Sequence, residues 1–341
     1  MCTTIIVDYP QGSVMARTLD FEVPLEYNMI YIPRGFHYAD DLYHKPMRSK
    51  YKMMGMCFRN LYPIKDGVNE HGLCGCTNMF IANNLFSNHP VEGKINTNSL
   101  DFMNFVLGNY KTVEELLNDL DNIHLANKDV DENSVICPDF HFMFVDRTGD
   151  STVLEYKNHK LVPCGDNPKV MTNSPKYSSH VKRYEKSVGD LSKFNQIKDL
   201  TGAYDPVSRF IRAKYILSTH KKSNNVNEAY SSAFSILEPL KITEGFFKND
   251  SHDYYTFTRY ISAFDTQTAS MAVRTHSNTQ TYLIDFDDIP DENEIYSYYF
   301  ENKLEFKRIM TTRKTGGLFK GYKPEWYQPA SQGAGFHSVQ T

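Results

Sequence analysis

Short β-branched runs broken by turn residues open and close the chain, and helical periodicity is confined to its interior. Thr3-Thr4-Ile5-Ile6-Val7-Asp8-Tyr9 predicts a strand, Pro10-Gln11-Gly12-Ser13 a turn, and residues 14–21 a returning strand. The pair predicts a hairpin that puts Cys2 at one end of a sheet. Residues 29–33 and 51–56 are further strand candidates. Helical spacing first shows at 100–108. Thr112 and Glu115 then form a capping-box pattern, with Val113, Leu116, Leu117 and Leu120 along one face. Strands resume at 140–145 and 151–156, around a turn at 146–150. Asp205-Pro206 predicts an N-cap with proline at the first helical position, leading into 207–217. Val226, Ala229, Tyr230, Ala233 and Leu237 give a second helical stripe. Residues 255–264, 270–275 and 281–286 return to strand.

Hairpin-connected strands favour antiparallel sheets over parallel βαβ units. Two sheets between helix layers would bury all of these faces, so the chain reads as α+β. No internal repeat is visible. The 341 residues suffice for one large domain, assigned to 2–314. Beyond it, 315–341 is rich in glycine and proline and reads as a loose extension.

Composition narrows the function classes. The 23 tyrosines and 22 phenylalanines support a sheet-rich fold. A net charge of −4, from 37 basic and 41 acidic residues, argues against a nucleic-acid partner. The Lys/Tyr stretch near 160–186 reads as a solvated face. No apolar run is long enough to span a membrane, and no secretory signal is visible, so the cytoplasm is the expected compartment. Cys57, Cys74, Cys76, Cys137 and Cys164 read as core thiols. Cys74 and Cys76 lack zinc-knuckle spacing, and neither a metal nor a cofactor is expected.

Cys2 is the informative residue. A small side chain after Met1 permits removal of the initiator, which leaves a free α-amine beside the thiol. Their reference pKa values lie near 8 and about 8.5. The amine can therefore accept the thiol proton, directly or through one water, and later protonate a leaving amine. The predicted hairpin returns Arg17-Thr18-Leu19-Asp20 beside Cys2. Arg17 can stabilise a thiolate. Asp20 can accept from the α-ammonium and orient it. Residues 17 and 20 differ in strand parity, so a bend is expected if both are to face the thiol.

Met1-Cys2-Thr3 with Ala16-Arg17-Thr18-Leu19-Asp20 resembles the choloylglycine hydrolase family, which includes conjugated bile acid hydrolases and penicillin V acylases. Gly67-Val68-Asn69-Glu70-His71-Gly72-Leu73, Val170-Met171-Thr172-Asn173-Ser174-Pro175 and Val207-Ser208-Arg209-Phe210 match further family segments in order. The resemblance implies the αββα sandwich of the N-terminal-nucleophile hydrolases. It implies Cys2 as nucleophile and base, and Arg17, Asp20, Asn173 and Arg209 at catalytic positions. Asn173 would donate its amide to the oxyanion, and Arg209 would tune the site charge. Family members usually carry Asn or Tyr seven residues after the Gly of the Gly-Leu pair. Here that count reaches Met79, with Asn78 just before it. Either Asn78 or the Met79 backbone N–H would complete the oxyanion hole. The resemblance also points to a homotetramer.

The expected reaction is hydrolysis of a linear C–N amide through a thioester. The partner would be a small-molecule amide with an apolar acyl group: a conjugated bile salt, a penicillin V-type side-chain amide, or an acyl homoserine lactone. By family position, loops near Met15, Leu19, Phe21, Tyr27 and residues 58–62 would line the acyl pocket. A retired, ligand-binding member of the same fold is a different-class alternative. A third reading pairs Cys137 or Cys164 with His141 or His180, as in papain-like enzymes.

Overall fold

A computed structural model describes residues 1–304 apart from 24, 42, 60, 82–85, 87–88, 127–137, 191–192, 194, 196–197, 249–253 and 301–302. Met1–Leu304 form one compact unit. The stretch 305–341, which includes the expected extension, lies outside the described residues.

Two antiparallel sheets carry the fold. The first runs, edge to edge, Val170–Met171, Cys2–Tyr9, Gly12–Phe21, Tyr255–Asp265, Met271–Thr275 and Tyr282–Ile284. The second runs Lys160–Cys164, Ser151–Lys157, Phe140–Val145, Cys74–Met79, Asp66–Asn69, Met53–Phe58, Tyr27–Ile32 and Tyr296–Tyr299. Five α-helices are described: α1 (Phe102–Asn109), α2 (Val113–Asp119), α3 (Tyr177–Val188), α4 (Pro206–Thr219) and α5 (Val226–Leu237). None is long and apolar enough to cross a membrane.

Strand alternation sorts side chains into separate cores. Met143 and Val145 point to one cluster, with Met15, Met54, Met56 and Cys76 between the sheets. Phe142 and Phe144 point the other way, against Phe102, Val106 and Leu107 of α1. On the far side of the first sheet, Ile5 and Val7 share a cluster with Phe210 of α4 and Ala229, Ala233 and Phe234 of α5. The result is the α+β, helix–sheet–sheet–helix sandwich expected from the sequence.

Local signals hold up well. Asp205 caps α4, accepting from Val207 N at 3.0 Å and Ser208 N at 3.1 Å. Thr112 caps α2 through Glu115 N at 3.1 Å, but the Glu115 carboxylate reaches Lys111 N at 2.7 Å, one residue earlier than a capping box. The stretch read as a solvated face carries the strands Lys160–Cys164 and Val170–Met171 and most of α3. Its Lys and Arg side chains line the outer surface of α3, while Tyr177, His180 and Val188 turn inward. The strands Asp66–Asn69 and Cys74–Met79 carry little β signature. Gly75 is one reason: a Cβ there would lie 2.6 Å from the Phe144 ring, so close packing excludes a side chain.

Candidate active site

Strand pairing brings the predicted residues to one end of the sandwich. Cys2 opposes Leu19 and Arg17 opposes Thr4, so both side chains enter the space between the sheets. Cys2 is 2% exposed. Arg17 Nη2 donates to Cys2 Sγ at 3.2 Å. Arg17 Nη1 pairs with the buried Asp66 carboxylate of the second sheet. Asp66 also accepts from Tyr260 Oη at 2.8 Å and from Ser262 Oγ. Burial opposes the Arg17 charge, but Cys2 and Asp66 outweigh it and hold the guanidinium well above its ordinary range.

The main chain of residue 2 is held from the other side of the sheet. Cys2 N donates to Asn173 Oδ1 at 2.7 Å. Arg209, fully buried on α4, donates to Cys2 O, to Thr3 Oγ1 at 2.7 Å and to Asn173 Oδ1 at 2.8 Å. Burial lowers the Arg209 pKa, opposed by Asp20 and Cys2.

Asp20 stands beside Met1 near the end of its strand. Its carboxylate accepts from Thr258 Oγ1 at 2.6 Å and Thr18 Oγ1 at 3.3 Å, and lies 4.0 Å from Arg209. Its backbone brackets Met1: Asp20 N donates to Met1 O at 2.9 Å, and Met1 N donates to Asp20 O at 2.6 Å. The expected bend is absent. Gly12–Phe21 keeps regular register with Cys2–Tyr9, and the irregularity falls in the partner strand between Thr258 and Tyr260. Arg17 and Asp20 therefore approach from opposite faces. This works because the side chain of Cys2 faces the sheet interface while its nitrogen stands at the strand end.

Asn173 Nδ2 donates to Met79 O at 3.0 Å, and its second amide hydrogen meets no acceptor among the described residues. Asn78 opposes His141 and Met79 opposes Phe140. The Asn78 amide donates to Thr172 O at 3.1 Å, Met171 O at 3.3 Å and Thr4 Oγ1 at 3.3 Å, tying one sheet to the other. The Met79 side chain packs outward, with the α1 cluster.

Two histidines that entered the sequence reading only through the papain-like alternative brace this segment. His141 Nε2 bonds Thr172 O at 2.7 Å, and His180 Nε2 bonds Asn173 O at 2.7 Å. A carbonyl only accepts, so each Nε2 carries a hydrogen. Burial lowers the His180 pKa to about 4 against the pull of the Asn173 carbonyl. Cys164 faces Val162 O at 3.6 Å, and burial followed by Glu155 pushes its thiol up to about 12. Cys137 lies outside the described residues. Asp66, Tyr260, Ser262 and Thr258 escaped the sequence reading. Only Asp66 had a local hint, standing just before the Gly67 motif.

A cavity of about 390 Å³ adjoins the Arg17–Asp66 side, lined by Leu25, Tyr27, Met56, Phe257, Tyr260 and Phe300 and also by Glu26, Arg59, Arg259 and His276. Tyr27 and Tyr260 meet there at 5.4 Å between ring centroids, and Tyr260 also holds Asp66. A larger cavity of about 680 Å³ lies between the strand Cys2–Tyr9 and α3–α4, and none of Cys2, Arg17, Asp20, Asn173 or Arg209 lines either cavity.

Comparison with known proteins places this geometry. A "Bile salt hydrolase/transferase" of Clostridium perfringens is 28% identical over 91% of this chain and 100% of its own length. A crystal structure of a conjugated bile acid hydrolase variant from that organism superposes with a TM-score of 0.80 at 26% identity, covering 91% of this chain and all of that one. A "Penicillin V acylase" of Pectobacterium atrosepticum is 26% identical over 61% of this chain and 56% of its own. Residues 2–297 match the model of the linear amide C–N hydrolases, choloylglycine hydrolase family, and the chain belongs to that family.

Proposed function

We propose that Cys2, after loss of Met1, cleaves the amide of an N-acyl substrate through a thioester. The observation that carries this reading is the double grip on residue 2: Arg17 Nη2 at 3.2 Å from Sγ, and Asn173 Oδ1 at 2.7 Å from N. Removal of Met1 turns that nitrogen into a primary amine already oriented by Asn173. The amine accepts the thiol proton, and Arg17 stabilises the thiolate. Sulfur attacks the carbonyl carbon, and the carbonyl oxygen takes the negative charge. The second Asn173 amide hydrogen supplies a donor for it. Collapse breaks the C–N bond, the α-ammonium protonates the departing nitrogen, and the acyl group remains on sulfur. Water, deprotonated by the same amine, then releases the acid and restores the thiol. Asp20 and Arg209 act as positioning residues for the main chain of residue 2.

The substrate class follows the relatives: an amide with a bulky apolar acyl group, of the conjugated bile salt or penicillin V type. The cavity beside Tyr27 and Tyr260 offers aromatic faces to such a group, with Glu26, Arg59, Arg259 and His276 on its remaining lining. Parallel turnover of glycocholate, taurocholate and penicillin V tests the class, and intact mass of working enzyme tests the nucleophile. The expected result is loss of the Met1 mass and amine release that Cys2→Ala abolishes. Full activity with Met1 still attached would overturn the mechanism.

A further inference from the structure

Glu155 is a buried carboxylate that the chemistry of Cys2 does not use. It lies in the strand Ser151–Lys157 of the second sheet, beside Phe140–Val145, and is 6% exposed. Its Oε1 accepts from Tyr177 N, at the start of α3, at 2.6 Å. The same oxygen stands 3.9 Å from the buried Nδ1 of His141. No other lysine, arginine or histidine pairs with it among the described residues. Burial opposes ionisation, but the His141 ring and the Tyr177 N–H outweigh it and hold the Glu155 carboxyl below its ordinary range.

His141 stands between this carboxylate and the segment that carries Asn173. Its Nε2 donates to Thr172 O at 2.7 Å, and its ring stacks on Phe80 with 4.5 Å between centroids. Its Nδ1 has no hydrogen-bond partner among the described residues. The bonding pattern fixes the protons. Nε2 carries a hydrogen, because a carbonyl only accepts. A bare Nδ1 would then turn its lone pair toward a buried anion, away from water, and would leave Glu155 without a cation. A protonated Nδ1 removes both costs. The bond to Thr172 O then becomes charge-assisted, about twice as strong as a neutral one. Glu155 also fastens the start of α3, and α3 supplies His180, whose Nε2 donates to Asn173 O at 2.7 Å. One carboxylate thus governs the histidines on two consecutive carbonyls, Thr172 and Asn173.

Resting on the role given to Asn173 above, we infer that Glu155 and a doubly protonated His141 form a buried ion pair that positions the Asn173 amide for the oxyanion. Both are positioning residues. No proton of the pair moves in the reaction, and the pair acts through the main chain of 172–173. A misplacement of about 1 Å at a positioned group can cost about a hundredfold in rate.

Glu155→Gln tests this, since the amide keeps an acceptor for Tyr177 N and removes the charge. The expected result is a fall in kcat of about ten- to a hundredfold with KM nearly unchanged. His141→Gln, which keeps a neutral donor for Thr172 O, should give a similar fall. The double variant should fall little further than either alone, because both changes break one pair. Nitrogen-15 NMR of the histidine-labelled full chain at neutral pH reads the protons directly, with His141→Gln identifying the signals. The wild type should show hydrogens on both His141 nitrogens, and Glu155→Gln on Nε2 alone. Unchanged kcat in Glu155→Gln at a temperature where that variant is folded, a bare Nδ1 in the wild type, or a fully additive double variant overturns the inference. Two hydrogens on His141 in a wild type that releases no amine from any amide would instead sink the Cys2 mechanism and leave the pair standing.

Discussion

Around the thiol, two buried arginines are each shared between partners on other strands or helices. Arg17 is shared between Cys2 and Asp66, and Arg209 between the main chain of residue 2 and Asn173. Removing one member leaves another stranded. Arg17→Met should destabilise the protein by about 3–5 kcal/mol, because Asp66 keeps its burial and loses its cation. Denaturant unfolding measures this, and slower alkylation of Cys2 by iodoacetamide should accompany it. Asn173→Ala should lower kcat by about 10²–10³, the usual loss for an oxyanion donor. Steady-state kinetics would count against that role if only KM moved.

Helix α3 and the turn at Gly72 show how single elements are fastened to the sheets. His180 on α3 donates from Nε2 to Asn173 O, while its Nδ1 is buried with no partner among the described residues. Protonation would put a second hydrogen where nothing accepts it. The folded pKa of about 4 lies below the ordinary 6.5. Between these values the unfolded chain binds more protons, so stability falls as pH drops from 6.5 towards 4, by up to about 3 kcal/mol. Thermal unfolding across that window should show the slope, and His180→Gln, which keeps a donor but does not titrate, should flatten it. Gly72 has φ +80°, and a Cβ there would stand 1.8 Å from Thr266 O. Gly72→Ala should therefore cost about 2 kcal/mol or more and lower Tm by about 3 °C or more, read by calorimetry.

The two sheets meet through a few polar bonds at the Cys2 end. Arg17 reaches Asp66, Thr4 Oγ1 lies 3.2 Å from Cys76 Sγ, and Asn78 reaches Met171 and Thr172. The segment that presents Asn173 is thus suspended between sheets. Asn78→Leu should lower stability by about 1–3 kcal/mol by stranding buried carbonyls. It should also reduce turnover, because Thr172–Asn173 loses a fastening. A variant less stable but equally active would show that the histidines alone position Asn173.

Strands with turn residues between them, and helices with a capping residue in front, were legible because their determinants are local. The first hairpin, α4 and α5 follow from spacing and caps alone. Cys2, Arg17, Asp20, Asn173 and Arg209 were legible through short ordered motifs. The strands Asp66–Asn69 and Cys74–Met79 were not, since their glycines and asparagines are explained only by what packs on them. Which face each side chain takes, and which partner it meets across the sheets, is decided by register and layer stacking. Asp66 becomes the anchor of Arg17 and His180 a brace for Asn173 only when residues far apart in the chain are brought together. Chain chemistry sets what each group can donate or accept; tertiary packing removes water and chooses the neighbour.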